Sequence, residues 1–261
     1  MITSPQNSRK LEARGLSKAF GGRRVLEDVS LYVDAGEFVS IIGVSGSGKT
    51  TIFNIISGIL APDAGGVLID GEDYTGRSGR VGYMHQKDLL LPWKTVRGNC
   101  VLPLTLKGVG RREAAGIADE GLDAFGLSAY ADAYPPELSG GMAKRVALLR
   151  AYLFSRDILL LDEPFSSLDP ITRESMHVWL LDVARRFNIS VVFITHDIDE
   201  ALYLSDRVYV ITGVPARVTV EKSVALPRER SWETMDDPLF LEARHALRDA
   251  LRSRDDEGCC L

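Results

Sequence analysis

The sequence has few of the residues on which disulfide frameworks and metal modules depend. Among its 261 residues are three cysteines and four histidines. Cys100 stands alone, Cys259 and Cys260 adjoin each other near the end, and no histidine pair has the spacing of metal ligands. These counts suit a reducing compartment and exclude a disulfide scaffold or a zinc module. We interpret the last two cysteines as thiols in a tail, because the ending lacks the prenylation pattern.

Long hydrophobic runs and an excess of basic charge are also missing. The longest aliphatic runs, such as Ile158–Leu161, are far shorter than the roughly 20 apolar residues that span a bilayer. The first ten residues contain no apolar stretch typical of a secretory signal. The net charge of −5 disfavours non-specific binding to nucleic acid, which needs clustered lysine and arginine. We therefore expect a soluble, intracellular chain without a nucleic-acid partner.

Short apolar runs alternate with segments of helical spacing through much of the chain. Phe38–Ile42, Ile158–Leu161 and Val191–Ile194 are mostly apolar and too short for helices. Fully apolar strands between helices are typical of a parallel sheet that is covered on both faces. The pattern therefore predicts an α/β fold.

The distribution of residue types also suggests how this fold is divided. Residues 95–136 are rich in alanine, leucine and charge at helical spacing, which predicts an inserted helical subdomain. Residues 215–252 show a looser pattern that ends in an amphipathic helix, which predicts a covering segment. We expect one domain over residues 11–252, with disordered tails at 1–10 and 253–261.

A glycine-rich loop follows the first apolar strand and precedes a helical segment. It is a P-loop and consists of Gly43, Val44, Ser45, Gly46, Ser47, Gly48, Lys49 and Thr50, followed by Thr51. Glycines let successive backbone N–H groups turn inward and form an anion site at a helix N-terminus. Lys49 can reach the β and γ phosphates, and the Thr50 hydroxyl can ligate Mg²⁺. The sequence therefore predicts binding of a nucleoside triphosphate; a purely structural glycine turn is the alternative.

Two adjacent carboxylates end the apolar run Ile158–Leu161. Asp162 is placed to act on Mg²⁺, and Glu163 is placed to polarise the attacking water as a general base. The alternative is that the two carboxylates cap the next segment. Beside a P-loop, the pair favours hydrolysis of the bound triphosphate.

Leu138-Ser139-Gly140-Gly141-Met142 resembles the signature motif of ATP-binding cassette (ABC) ATPases. Ser139 can cap the following helix, and the glycines permit close backbone approach, so this segment is a second anion site. Further family motifs follow the family order, and the resemblance runs from Leu11 to Arg252. These further motifs are an aromatic residue at Phe20, the Q-loop glutamine Gln86, the D-loop Ser167-Leu168-Asp169 and the switch histidine His196. Met142, where the family usually has glutamine, and Ala143 depart from the commonest signature.

The resemblance implies a P-loop NTPase core with a mainly parallel sheet, an N-terminal antiparallel β subdomain and the inserted helical subdomain. It also implies an ATPase that works as a homodimer, with each signature closing over the ATP of the other subunit. The implied catalytic residues are Glu163, His196, Lys49 and Gln86. The implied ATP contacts are Phe20, Gly43, Val44, Ser45, Gly46, Ser47, Gly48, Lys49, Thr50, Thr51, Gln86, Ser139, Gly140, Gly141 and Asp169. The implied Mg²⁺ ligands are Thr50, Gln86 and Asp162.

The segment after Gln86 narrows the resemblance to one group of importers. Its Leu90-Leu91-Pro92-Trp93 element, together with Leu226-Pro227-Arg228 and the helix around Phe240–Leu251, resembles ATPases of nitrate, sulfonate, taurine and pyrimidine-precursor importers. This implies a subunit on the cytoplasmic face of a prokaryotic plasma membrane that powers uptake of a small anion or related nutrient. A separate permease would receive the segment, and a solute-binding protein would deliver the solute.

Alternative interpretations of the chain and of this segment stay open. The apolar residues Leu90, Leu91 and Trp93 could instead pack the helical subdomain onto the core. An ABC exporter, a soluble non-transport ABC ATPase and a catalytically weak scaffold are the other classes. The sequence does not name the solute, because the chain itself does not contact it.

Overall fold

The computed structural model describes residues 9–226 and 232–252. The chain forms two compact units. The first is drawn from the chain up to Ser78 and from Ser190 onward, and the second is Gly79–Ile189. The predicted tail at 253–261, with its two cysteines, and the importer-like Pro227 and Arg228 lie outside the described residues.

The regular elements of the described residues follow in chain order. The strands are β1 Arg9–Phe20, β2 Arg23–Asp34, β3 Phe38–Gly43, β4 Ala64–Ile69, β5 Glu72–Asp73, β6 Gly82–Met84, β7 Ile158–Asp162, β8 Ser190–Thr195, β9 Arg207–Thr212 and β10 Arg217–Ser223. The α-helices are α1 Lys49–Ile56, α2 Val96–Leu106, α3 Arg111–Ala124, α4 Gly140–Phe154, α5 Pro170–Arg186, α6 Ile198–Leu204 and α7 Pro238–Arg252. Short 3₁₀ helices lie at Ser128–Tyr130, Pro135–Glu137 and Trp232–Asp236.

The core of the first unit is a set of strands in the order β10-β9-β3-β8. Strand β3 pairs in parallel with β8 and with β9, and β10 runs antiparallel along the outer edge of β9. Every residue of β3 and of β8 is buried, as their apolar sequences predict. The prediction of parallel strands from continuous apolar runs is therefore confirmed.

The first unit also contains an antiparallel sheet in the order β2-β1-β4-β5. Gly21 and Gly22 connect β1 to β2, and both have positive φ angles, of 55° and 82°. Such angles match the twist of a tight hairpin, and glycine adopts them without strain. The sheet confirms the N-terminal antiparallel β subdomain that the family resemblance implies.

The second unit combines the parallel pair β6 and β7 with helices α2 to α5. Helices α2 and α3 lie within the helical stretch predicted at residues 95–136. The ring of Phe125 is the centre of an aromatic cluster, with ring centroids of Tyr152, Trp179 and Phe187 at 5.7, 5.5 and 6.0 Å. This cluster holds α4 and α5 to the end of α3, since aromatic pairs at such distances add to the free energy of burial.

Two boundaries differ from the sequence-based expectation. Strand β1 begins at Arg9, so residues 9 and 10 of the predicted tail belong to the antiparallel sheet, where Arg9 pairs with Asp34. The covering segment predicted at 215–252 contains strand β10, whose polar and half-buried residues carry no apolar run because it is an edge strand. Helix α7 occupies the position of the predicted terminal helix. Within the described residues, every helix is too short or too polar to cross a bilayer.

Two glycine substitutions test the packing of the second unit. A Cβ at Gly82 would lie 2.3 Å from the carbonyl oxygen of Ala151, whereas a Cβ at Gly116, an exposed position of α3, meets nothing within 4 Å. We expect Gly82→Ala to lower the free energy of unfolding by about 1–3 kcal/mol through overpacking. Gly116→Ala should raise it by about 0.5–1 kcal/mol, since alanine favours a helix interior. Urea unfolding of both variants measures the difference, and equal midpoints would contradict this account of β6.

Candidate functional site

The P-loop connects the buried strand β3 to helix α1, and two of its glycines are required sterically. A Cβ at Gly43 would lie 2.4 Å from the carbonyl oxygen of Ile211 on β9. Gly48 precedes α1 with a φ of 82°, and its Cβ would lie 2.8 Å from Cδ2 of Leu26. Larger residues at these two positions would displace the loop, so the packing around them fixes its course.

Lys49 is the first residue of α1 and is buried, with 6% of its surface exposed. Its Nζ donates hydrogen bonds to the carbonyl oxygens of Gly43 and Val44, at 2.7 and 2.8 Å. The ammonium is therefore held against the first two residues of the loop. The first turn of α1 contains no acidic residue, so the N–H groups and the helix dipole there favour an anion. Ser45, Gly46 and Thr50 are exposed along this loop.

His196 lies in the same unit, directly after strand β8. Its side chain is exposed, and the next residue, Asp197, caps helix α6. The Asp197 carboxylate accepts the backbone N–H groups of Asp199 and Glu200 at 2.8 and 3.2 Å. The Asp197 backbone N–H in turn donates to the Thr195 hydroxyl at 3.0 Å. These bonds fix the backbone on both sides of His196.

Phe20, the predicted adenine contact, ends strand β1. The residue is 48% exposed, and Nζ of Lys18 lies 5.8 Å from the ring centroid. A half-exposed ring offers an apolar face on which a base can stack. The structure thus gives Phe20 the exposure that the predicted role requires.

In the second unit, Asp162 ends the buried strand β7 and is itself 7% exposed. The hydroxyl of Tyr83, on the neighbouring strand β6, lies 3.5 Å from Oδ2 of Asp162. Burial and the nearby Asp162 charge raise the pKa of Tyr83 above its ordinary value, so the phenol keeps its proton. The ring of His85 stacks on Tyr83 with centroids 3.9 Å apart, and burial lowers the pKa of His85, which leaves the imidazole neutral at pH 7.

Glu163 follows Asp162 with a φ of 44°, in the left-handed region that non-glycine residues rarely adopt. Its side chain is half-buried, and its Oε2 accepts a hydrogen bond from Nε2 of Gln86 at 3.3 Å. The structure therefore brings together two of the four predicted catalytic residues. Strained backbone of this kind is typical of functional sites, because the surrounding structure must hold it in place.

The predicted signature motif forms the start of helix α4. Ser139 is its N-cap, and its Oγ accepts the backbone N–H of Met142 at 3.3 Å. A Cβ on Gly140 would lie 3.3 Å from the side chain of Leu168 in the D-loop, and a Cβ on Gly141 would lie 3.2 Å from the side chain of Thr172. The D-loop residue Asp169 caps α5, and hydrogen bonds from Thr172 lower the pKa of this exposed carboxyl. Ser139, Gly140 and Asp169 are exposed, as contacts with a second subunit would require.

A model of the ABC transporter family matches residues 26–166, more than half of the chain. The chain is 37% identical to the nitrate import ATP-binding protein of Synechocystis, over 95% of this chain and 97% of that protein. It is 40% identical to the taurine import ATP-binding protein of Pseudomonas aeruginosa, over 92% of this chain and 95% of that protein. The chain belongs to the ABC transporter family. Both relatives are import ATP-binding proteins, and they represent two of the importer types that the motifs of this chain resemble.

A solved structure extends the similarity to three dimensions. It is a dimeric ATP-binding cassette in a post-hydrolysis state, bound to ADP and Pi. The TM-score is 0.71 at 31% identity, over 83% of this chain and all of that one. The P-loop NTPase fold expected from the sequence is therefore confirmed, and the chain is an ABC ATPase.

Sequence reasoning missed several residues that shape this ABC ATPase. Tyr83 carries no motif, and only the pairing of β6 with β7 places its hydroxyl beside Asp162. Asp197 could have been found, because an aspartate directly before a helical run is a common N-cap. Met142 and Ala143, the two departures from the signature, are half-buried residues in the first turn of α4, where the helix is regular.

The Asp197 cap yields a prediction about His196. Removing a helix N-cap costs about 1 kcal/mol, so Asp197→Ala should loosen the start of α6 beside His196. We expect a lower thermal midpoint and a lower ATPase rate. Asp197→Asn keeps an oxygen acceptor and is the matched control. Calorimetry and phosphate release measure both effects, and an alanine variant indistinguishable from the asparagine variant would show that the cap does not support His196.

Proposed function

We propose that the chain is the ATP-hydrolysing subunit of an ABC importer that takes up a small anion or a related nutrient. The observation that carries this proposal is the P-loop, in which two sterically required glycines and the buried Lys49 form an anion site. The nitrate and taurine import proteins among its relatives support the direction of transport.

In the proposed mechanism, the P-loop binds the phosphates of ATP and Phe20 stacks on the base. Backbone N–H groups between Gly43 and Thr51 surround the phosphates, and the Lys49 ammonium neutralises the charge that develops on the γ-phosphate. The buried position of Lys49 strengthens this effect, since a charge screened from water interacts more strongly with the phosphates.

The donor set fits Mg²⁺. The three predicted ligands offer a hydroxyl, an amide and a carboxylate oxygen, from Thr50, Gln86 and Asp162, and Mg²⁺ prefers oxygen. The described residues contain no cluster of three histidine, cysteine or acidic side chains for a metal. Such a cluster is not required, because Mg²⁺ in nucleotide sites takes few protein ligands beside phosphates and water. When bound, Mg²⁺ would neutralise phosphate charge.

Glu163 is the proposed general base for hydrolysis. Its contact with Gln86 holds the carboxylate in one orientation, and His196 is the proposed second group that positions the attacking water. Water then attacks the γ-phosphorus in line with the leaving ADP, while the proton passes to Glu163. In this scheme a change at Glu163 alters its hydrogen bond with Gln86, and Gln86 passes the change to the segment that follows it.

Two copies of the chain are proposed to enclose two ATP molecules. Residues Ser139–Gly141 form a second, exposed helix N-terminus. Because the P-loop already binds the nucleotide of the same chain, this second N-terminus is available to bind the ATP of the partner subunit. The dimeric structure of the related cassette supports this arrangement. Permease subunits and a solute-binding protein would complete the transporter, with this chain on the cytoplasmic face of the membrane.

Glu163→Gln tests the proposed general base. We expect the ATPase rate to fall about 10²–10⁴-fold, because the amide cannot accept the proton. ATP binding should persist, so a dimer should accumulate with saturating ATP and Mg²⁺. Phosphate release and sedimentation velocity measure these two properties. Glu120→Gln, at an exposed position of α3, is the matched control. A Glu163→Gln enzyme with normal turnover would assign the base to another residue.

Leu89 and Trp93, which are 56% and 71% exposed, test the permease contact. An aspartate at either position should reduce recovery of the permease with the tagged chain from native membranes, since apolar anchors dominate such interfaces. Val214→Asp, at a valine of the other unit that is as exposed as Trp93, is the control. Mass spectrometry quantifies the permease. Full recovery with both substituted chains would place the contact elsewhere.

A further inference from the structure

The helix that begins with the signature contains a buried lysine in its second turn. Lys144 is 3% exposed. Its Nζ donates to the backbone carbonyl oxygen of Gln86 at 3.0 Å and forms an ion pair with Oδ1 of Asp88 at 2.8 Å. Lys144 thus binds the chain that leaves β6, directly at the glutamine that contacts Glu163.

A second cation of α4 binds the same stretch of backbone. The guanidinium of Arg150 donates to the carbonyl oxygens of Asp88 and Leu89, at 2.6 and 2.7 Å. Burial lowers the pKa of Arg150, but its ordinary pKa is so high that it stays charged. Three carbonyl groups within residues 86–89 therefore accept charge-assisted hydrogen bonds from one helix, and such bonds are stronger than neutral ones.

Helix α2 holds residues 91–95, which follow this stretch. Asn99 is fully buried, and its Oδ1 accepts the backbone N–H of Leu91 at 2.8 Å. Its Nδ2 lies within hydrogen-bond distance of the carbonyl oxygens of Leu91, Lys94 and Thr95, at 3.2, 3.2 and 3.0 Å. The segment has no strand or helix of its own between Met84 and Val96, so side chains replace the missing backbone ladder.

The segment exposes two large apolar side chains, Leu89 and Trp93, in addition to the polar Gln86 and Lys87. Leu89 adopts a φ of 47°, which a leucine keeps only where its surroundings enforce it, and Arg150 binds its carbonyl group. Trp93 lies four residues farther along and is the more exposed of the two. Two helices thus fix the backbone from which both apolar side chains extend.

From these contacts we propose that Lys144 is a positioning residue that couples the signature end of α4 to the segment 86–93. Lys144 lies four residues from Gly140, a rise of about 6 Å along the helix. A movement of the helix start toward ATP therefore pulls the carbonyl group of Gln86 and, through it, the exposed Leu89 and Trp93. This inference rests on the proposed function, because it assumes that ATP and the permease act at the two ends of the link.

The link is tight because Lys144 has little contact with water. A buried ammonium that left these partners would lose its hydrogen bond to the Gln86 carbonyl and its ion pair with Asp88, and water could not replace them there. The sequence gives no sign of this role: the residue follows the signature as one basic residue among several.

Fluorine NMR of the full chain labelled with 5-fluorotryptophan tests the proposal. The chain has three tryptophans, and Trp93→Phe and Trp179→Phe assign two of the resonances. Trp93 reports the segment, whereas Trp179 packs under Arg145 of α4, with the guanidinium carbon 4.8 Å from its ring. Spectra are recorded without nucleotide and with Mg²⁺ and the non-hydrolysable analogue AMP-PNP, which leaves Glu163 unchanged.

The test variant is Asp88→Asn with Lys144→Met, which removes the charge pair together and avoids leaving a lone charge. Lys144→Arg is the conservative control, because it keeps a cation that can reach the same carbonyl group. We expect AMP-PNP to shift the Trp93 resonance in the native chain and in Lys144→Arg. In the double variant this shift should be lost, although the nucleotide still binds. An unchanged Trp179 resonance would show that α4 is still packed against Trp179.

Each other outcome has one meaning. An equal Trp93 shift in the native chain and the double variant, or no shift in the native chain, would overturn the coupling while the ATPase assignment stands. Loss of the shift in Lys144→Arg as well would reduce Lys144 to a packing role. If the native chain does not bind the nucleotide at all, the proposed function itself fails.

Discussion

The burial of short parallel strands on both faces is the constraint on which the rest of this structure depends. A strand that is buried on both faces, such as β3 or β8, offers almost no exposed side chain along its length, so groups that reach a ligand begin where the strand ends. Gly43 ends β3, His196 follows β8, and Asp162 ends β7. Ligands of open α/β sheets bind at the carboxyl ends of strands for the same reason.

A second common feature is that polar side chains bind backbone carbonyl groups of loops. Lys49 binds two carbonyls of the P-loop, and Lys144, Arg150 and Asn99 bind those of the segment after Gln86. Residues 44–48 and the segment after Gln86 belong to no strand or helix, and side chains bind carbonyl groups there instead. Cations suit this task, since a charge-assisted hydrogen bond holds a loop more firmly than a neutral one.

Much of the candidate site could be predicted from the sequence, because its parts are local. The P-loop, the Asp162-Glu163 pair and the Ser139 cap each depend on a few consecutive residues and on the element that follows them. The same local rule could have identified Asp197. Strand β10 could not be found in this way, since an edge strand with alternating and polar residues has no apolar run.

The sequence by itself determined the family, the P-loop and the alternation of apolar strands with helices, because spacing along the chain carries that information. Only the tertiary structure decided which residues meet. The contacts of Tyr83 with Asp162, of Gln86 with Glu163 and of Lys144 with Gln86 join residues 58 to 79 positions apart. Such contacts depend on strand pairing and helix packing, so no local pattern encodes them.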